Sequence, residues 1–360
     1  MKAAVLWEAN TPMTIEDIDV GKPGPREVLI RTSYAGICHS DLHFVDGVYS
    51  HPMPLVPGHE SAGVVEAVGE SVTYVKPGDH VVTCLSVFCG TCPQCVTGHP
   101  NLCESTDVKL PAGKAERLWR EEKLVHQFTN LSSFAEQMLV HENAVAKISR
   151  DIPLDRAALV GCGVLTGCGA VFHAAKVKPG STVAVIGCGG VGLSVVNGAM
   201  IAGAARIIAI DTMDSKLDLA RKLGATDTIN ASSQDPVAAV MELTKGGVPY
   251  AFEALGIPKT AEQAFAMLKP GGVATVLGMF APGTKLALDA PLFIKDRRIQ
   301  GSSMGSNQFR VDIPYLLDLY MQGRLHLDHL ISSKIPLSQI NDAFANLRNG
   351  TAVRQLIQFA

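Results

Sequence analysis

Aromatic side chains are scarce in this 360-residue chain, at 6% of the total, and charged ones reach only 18%. The first shortage leaves little from which to build a base-stacking platform. With 31 Lys and Arg against 34 Asp and Glu and no long basic run, a phosphate-tracking groove has little support either, although a local basic patch for one cofactor stays open. Nucleic acid is therefore not expected as a partner. Long apolar runs are also lacking: the most apolar stretch, Val183 to Ile186 onward, meets a glycine series before it reaches bilayer length. The opening MKAAVLWEANTP has neither the extended apolar core nor the small-residue cleavage pattern of a secretion signal. A cytoplasmic protein with no membrane association is the expectation. Repeats and long low-complexity segments are absent, and the glycines follow no collagen-like period.

What is abundant is apolar material, at 47%, enough to bury extensive sheets. At roughly 150 residues per domain the length predicts two domains. Up to about residue 150 the chain reads as short strands separated by Pro-Gly and Gly-Asp punctuation, among them Lys2 to Trp7, Glu27 to Ser33 and Ser61 to Val68. Gly36 to Asp46 reads as a loop leading into a short helix. The pattern then changes: Asp155 to Leu159 and Gly163 to Ala175 suit helices, and near-continuous apolar strands begin to alternate with helical stretches. Those strands are Thr182 to Ile186, Arg206 to Ile210, Thr226 to Ile229, Tyr250 to Glu253, Gly272 to Leu277 and Arg298 to Ser302. Such alternation predicts an α/β domain whose mostly parallel sheet is covered on both faces. The tail, with helices at Ile313 to Met321 and Leu337 to Leu347 and a strand at Val353 to Phe359, does not continue the repeat. A Rossmann domain inserted into a β-rich domain accounts for that return.

Within the parallel region the run Gly187-Cys188-Gly189-Gly190-Val191-Gly192 follows one strand and opens a helix. Gly187 permits a tight turn, Gly189 a close pyrophosphate approach and Gly192 close helix packing, while the helix N-terminus supplies amide donors. Asp211 ends the next strand at the offset from which a carboxylate bonds an adenosine ribose and disfavours a phosphate on it, which favours NAD over NADP. Lys216 lies within reach of the same ribose and equally suits an exposed helix face. The bland alternative is a glycine turn in a structural α/β domain, with Asp211 a helix cap.

Nine cysteines, an odd number in a long chain, do not suggest a disulfide framework. Four of them, Cys89, Cys92, Cys95 and Cys103, crowd a loop rich in Gly and Pro. Four thiolates satisfy tetrahedral zinc without an open position, as a structural site requires; a disulfide or an iron-sulfur cluster is the alternative. Cys38, His59 and Cys162 offer a second zinc two soft ligands and one imidazole, with room left for water or substrate. Spacing alone does not assemble them, and each also suits a bland role in the core or a loop.

The motifs GICHSDLH, PGHESAGVVEAVG, GDHVV, the four-cysteine lobe, GCGVLTGCGA and VIGCGGVG run through the whole chain. Together they make it resemble the zinc-containing, medium-chain alcohol dehydrogenase family over essentially residues 1 to 360. The resemblance implies a GroES-like catalytic domain in residues 1–163 and 304–360, with an NAD-binding Rossmann domain in 164–303. It implies two zinc ions per chain, catalytic at Cys38, His59 and Cys162 and structural at Cys89, Cys92, Cys95 and Cys103. Asp41 resembles the residue that orients the ligating histidine, and Glu60 the acidic residue behind the zinc. Ser40 and His43 resemble the two ends of a proton relay. His39, where related enzymes often carry arginine, and Arg354 resemble cofactor pyrophosphate contacts. Thr166 resembles a residue beside nicotinamide, and Val276 and Met279 border the expected cofactor groove. Leu85 and the stretch 107–128 are similar to channel-wall segments, and the length of that stretch implies a homodimer, with a homotetramer as the alternative.

The implied activity is reversible, NAD-dependent oxidation of a primary, aromatic or secondary alcohol to an aldehyde or ketone, with no partner beyond that small molecule. The glutathione adduct of formaldehyde is an alternative substrate on the same fold. A noncatalytic NAD-binding scaffold is an alternative of a different class.

Overall fold

The structure, a computed structural model, describes residues 1–109, 117–350 and 353–359. The chain divides into two compact units: Met1–Cys162 with Gln308–Gln322 and Leu330–Ala360, and Gly163–Asn307 with Gly323–His329. The short return of Gly323–His329 to the second unit has no signature in the sequence pattern.

In the first unit a seven-stranded mixed sheet carries the order Val145–Ile148, His80–Thr83, Glu60–Val68, Glu27–Gly36, Arg354–Gln358, Ile331–Ile335, with Gln137–His141 also paired to Glu27–Gly36. The last two strands in that order come from the tail, so residues more than 300 positions apart share one sheet. Alternating apolar positions such as Val28, Ile30, Val65 and Val81 bury one face with Val140 and Val145. A second buried cluster joins Ala35, Ile37 and Leu42 to Phe134, Ile340 and Phe344. Each Val, Ile, Leu or Phe side chain among them contributes about 1.5–3 kcal/mol when fully buried. Glu27–Gly36 meets Glu60–Val68 antiparallel, with Gly36 opposite Glu60. Cys38 lies just past the end of one strand and His59 just before the start of the other, so the pairing brings both to the same end of the sheet.

The second unit holds six parallel strands in the order Asp227–Asn230, Arg206–Asp211, Thr182–Ile186, Val248–Glu253, Leu268–Val276, Arg298–Gly301. Numbered along the chain this is 3-2-1-4-5-6, the doubly wound Rossmann order. The central strands are buried on both faces, which is why they read as continuous Val, Ile and Ala runs rather than alternating ones.

The helical region after residue 150 is more continuous than its composition suggests. Leu154–Ala174 is one helix-like run in which Val160–Val164 and Ala170–Ala174 widen to π geometry. It is apolar and long enough to cross a bilayer, contrary to the expectation that long apolar runs are lacking, yet 83% of its most apolar window is buried inside the protein. Its apolarity serves the core.

Candidate metal and nucleotide sites

The short helix His39–Val45 begins at Cys38, whose extended backbone (φ −116°, ψ 151°) makes it the N-cap. Asp41, in the first turn, accepts the Cys38 backbone N–H at 3.1 Å through Oδ2 and the His59 Nδ1–H at 2.7 Å through Oδ1. One buried carboxylate thus fixes both the cap and the imidazole. With Nδ1 committed, Nε2 is the free ring nitrogen, and it lies 3.1 Å from Cys162 Sγ. Cys162 sits in the π-helical segment Val160–Val164, a distortion often found at functional positions. A Cβ on the neighbouring Gly161 would come within 2.6 Å of the Thr83 carbonyl, so glycine is what lets this turn approach the sheet.

The ligand atoms of Cys38, His59 and Cys162 lie within 4.8 Å of one another and all three residues are buried. Their proton affinities are pulled apart. The Cys162 thiol, by hydrogen bonding, holds Cys38 well below the usual thiol range, and Arg354 and His59 add to this against the cost of burial. The same bond, with burial, pushes Cys162 well above it. Burial disfavours charge on His59, but the adjacent Asp41 carboxylate overcomes this and holds the ring well above its ordinary value. Burial raises Asp41 itself, against the pull of His59. Two thiols and one imidazole, oriented by a carboxylate and shielded from water, are a donor set that zinc matches, and three ligands leave one position for a small molecule.

Around this set, Ser40 Oγ lies 3.6 Å from Cys38 Sγ. His43 is half-buried on the same helix, its ring edge-on to Tyr49 at 6.0 Å, while His39 is exposed. Glu60 is fully buried, with Oε1 3.6 Å from Arg354 Nε. The Arg354 guanidinium is buried and 3.8 Å from Cys38 Sγ, and Glu60 holds its charge in place despite burial. The structure therefore sets Arg354 beside the three ligands within the first unit.

Residues that the motifs do not reveal also gather here. Phe128, 1% exposed, stands 6.0 Å from the His59 ring and 4.8 Å from Phe44, which stacks on Tyr49, and His51 completes the group. No local spacing links Phe128 to His59; only its place at the end of the stretch 107–128 hinted at it. Within that stretch, residues 110–116 lie outside the described residues. Leu85 packs, half-buried, against the apolar cluster of Val87 and Val108.

The second cysteine group is built locally. The Cys89 Sγ–Cys95 Sγ and Cys92 Sγ–Cys103 Sγ separations are 3.9 and 4.0 Å, and the four ligand atoms lie within 4.8 Å of one another. These lengths are near the edge of about 3.8 Å that a tetrahedron of Zn–S bonds gives, and far from a disulfide. All nine cysteines are free thiols. Cys89 Sγ accepts N–H bonds from Thr91 (3.3 Å) and Cys92 (3.2 Å), and Cys103 Sγ accepts one from Cys89 (3.3 Å). The Thr91 hydroxyl and these amides hold Cys89 down at about 5, whereas burial pushes Cys95 up to about 12. Four thiolates so close require a cation, and the lobe suits one.

In the second unit Gly187 adopts φ +93°, and a Cβ there would strike Leu255 at 2.6 Å. At Gly192 a Cβ would lie 1.7 Å from the Gly187 carbonyl oxygen, but at Gly189 it would meet nothing within 4 Å. The turn is thus closed on its protein side and open at Gly189, where helix Gly190–Ile201 begins with Gly190 and Val191 in its first turn. That is the form of a phosphate cradle. The Asp211 carboxylate accepts the N–H groups of Cys188 (2.8 Å), Thr212 (2.8 Å) and Met213 (3.0 Å). Of about four acceptor positions on a carboxylate, these three N–H groups occupy three. Lys216 is half-buried one turn into the following helix. Thr166 is buried, with Oγ1 3.6 Å from Met304 Sδ. Val276 ends its strand, and Met279 packs so closely on Gly256 that a Cβ there would lie 2.3 Å from the Met279 carbonyl oxygen.

Comparison with known proteins agrees with this geometry. Residues 24–150 match the alcohol dehydrogenase GroES-like domain and residues 190–320 the zinc-binding dehydrogenase domain. Alcohol dehydrogenase 1 of Pisum sativum is 37% identical over 366 aligned residues, covering 99% of this chain and 96% of its own length. An alcohol dehydrogenase zinc-binding domain protein from Burkholderia ambifaria superposes with a TM-score of 0.96 at 38% identity, covering 100% of this chain and 98% of that one. The benzyl alcohol dehydrogenase of Acinetobacter calcoaceticus gives 0.94 at 36% identity, covering 100% and 99%. The two domain matches, the full-length relatives and the paired Cys/His sites together establish that this chain belongs to the zinc-containing medium-chain alcohol dehydrogenase family.

Proposed function

We propose that this oxidoreductase interconverts a primary or aromatic alcohol and its aldehyde with NAD, using one zinc held by Cys38, His59 and Cys162 and a second held by Cys89, Cys92, Cys95 and Cys103. The observation that carries the reading is the buried three-ligand set with Asp41 locking the His59 ring. Zinc there supplies Lewis-acid stabilisation of an alcohol oxygen as its proton departs, and the nicotinamide supplies the redox chemistry. The chain's own residues do the rest. Asp41 fixes the tautomer that presents Nε2, and Phe128 keeps water from the far side of the ring. Ser40 Oγ accepts the alcohol proton as it passes its own hydroxyl proton on, and half-exposed His43, one turn along the same helix, delivers a proton to solvent. The Gly189 opening and the first helical turn receive the pyrophosphate. Asp211 binds the ribose and repels a phosphate on it, Lys216 lies beside it, and Thr166 and Val276 flank the nicotinamide.

The similarity to a benzyl alcohol dehydrogenase and the ring cluster of Phe44, Tyr49 and Phe128 support an aromatic alcohol. Metal counting combined with an alcohol panel tests the reading. Two zinc ions per chain, turnover of benzyl alcohol with NAD and at least about tenfold lower kcat/KM with NADP are expected, a factor of ten being 1.4 kcal/mol. Activity that survives with both metal sites stripped overturns it. We further assign a homodimer; sedimentation equilibrium distinguishes it from a tetramer.

A further inference from the structure

Gly36 ends strand Glu27–Gly36 and faces Glu60 on one side and Leu356 on the other. Glycine weakens a strand, and this backbone is ordinary extended chain, so conformational freedom does not explain it. Space does. A Cβ at this position would lie 2.2 Å from Glu60 Oε1, 2.7 Å from Cδ and 2.9 Å from Cγ, and these three nearest atoms all belong to one side chain. The same Oε1 is 3.6 Å from Arg354 Nε, and both partners are buried. The missing methyl is the berth of the Glu60 carboxylate.

We propose that Gly36 is a positioning residue for the reaction: its lack of a side chain keeps the Glu60 carboxylate paired with Arg354 and off the Cys38–His59–Cys162 ligand set. The inference rests on the zinc reading of that set. Glu60 follows His59 directly in the chain, so its carboxylate is tethered beside the ligands. A carboxylate is itself a zinc ligand, and one that enters the set fills the position an alcohol needs. Displacing it also leaves a buried guanidinium without its partner. Space at residue 36 thus decides whether the site stays open.

The test is a cycle of Gly36→Ala with Glu60→Asp and Glu60→Ala. Gly36→Ala is expected to lower kcat/KM by about ten- to a hundredfold, the range for losing a group that supports a metal ligand. It should also shift the visible spectrum of the cobalt-substituted enzyme. Glu60→Asp, one methylene shorter, should restore most of that loss in the Gly36→Ala background. Melting temperature of the metal-free protein supplies a second readout: the drop caused by Gly36→Ala should largely vanish when Glu60 is Ala. If Gly36→Ala alone does not fold, Gly36→Ala/Glu60→Ala must fold. An equal penalty in both backgrounds, in spectrum or in melting, overturns the proposal. A wild-type chain that binds zinc only at the cysteine lobe overturns the catalytic-zinc reading, whereas the metal-free melting cycle still judges the berth.

Discussion

The two metal-binding groups of this chain are assembled in opposite ways. The four-cysteine lobe draws its ligands from fifteen consecutive positions, and Cys89, Cys92 and Cys95 stay half-exposed. The three-ligand set draws Cys38, His59 and Cys162 from across the first unit and buries all of them. In the lobe, the Thr91 hydroxyl and nearby backbone N–H groups stabilise negative sulfur. In the buried set, the surrounding charges are side chains: Asp41 three positions from Cys38, Glu60 next to His59, and Arg354 from the tail of the chain. A closed local site ties down a loop. An open, buried site requires the whole sheet to hold three ligands and leave a fourth place free.

The largest effect that separates the two is expected from the buried set. His59→Ala should lower kcat/KM on the order of a thousandfold or more, because the Lewis acid is lost. Bound zinc should fall from two per chain to one, with the lobe still filled. Elemental analysis showing both ions lost would mean that the sites are not independent.

Cys95→Ser should do the reverse. Loss of the lobe's ion is expected to cost more than about 4 kcal/mol of stability, as removal of a structural metal does. The protein that remains folded should keep a kcat close to that of the unaltered enzyme. Thermal unfolding and turnover measured on one preparation decide this, and a kcat that collapses in folded Cys95→Ser protein would erase the distinction.

Asp41→Asn is expected to weaken zinc at the buried set by about ten- to a hundredfold without touching the lobe. Chelator competition read separately for each ion checks it; equal loosening of both ions contradicts the assignment.

The smallest effect concerns the other buried histidine. His141 Nδ1 accepts the Asn143 N–H at 3.0 Å, so this ring must be neutral, whereas His59 faces a carboxylate. Burial pushes His141 down to about 4. Between the ordinary histidine value near 6.5 and 4, the unfolded chain binds a proton that the folded one does not. Stability from this group is therefore fully present above about 6.5 and declines as pH falls toward 4. Denaturant unfolding at pH 7.5 and 5 should show a decline that is shallower in His141→Gln; an unchanged slope removes His141 as its source.

Much of the fold was legible because its signals are local. Thr182–Ile186, Arg206–Asp211 and Arg298–Gly301 appear within a residue of where their apolar runs place them, and Gly187 marks the intervening turn. The cysteine lobe was legible for the same reason. Cys38, His59 and Cys162 were not, since nothing in their spacing joins them; resemblance named them, and the Gly36–Glu60 register brings two of them together. Phe128 beside His59 was marked only by its place at the end of 107–128, and Gly36 beneath Glu60 only as the first residue of GICHSDLH. Nor did the apolarity of Leu154–Ala174 say whether it would face lipid or a core.

By itself the amino-acid order determined which segments become parallel strands, where the glycine turn opens and which four thiols can share an ion, because each depends on neighbours a few positions away. Only the tertiary structure decided that Asp41 holds both Cys38 and His59, that Arg354 meets Glu60 and that residue 36 has no room for a methyl. Those facts depend on strand register and burial, which arise when segments hundreds of positions apart exclude water from the same few ångströms.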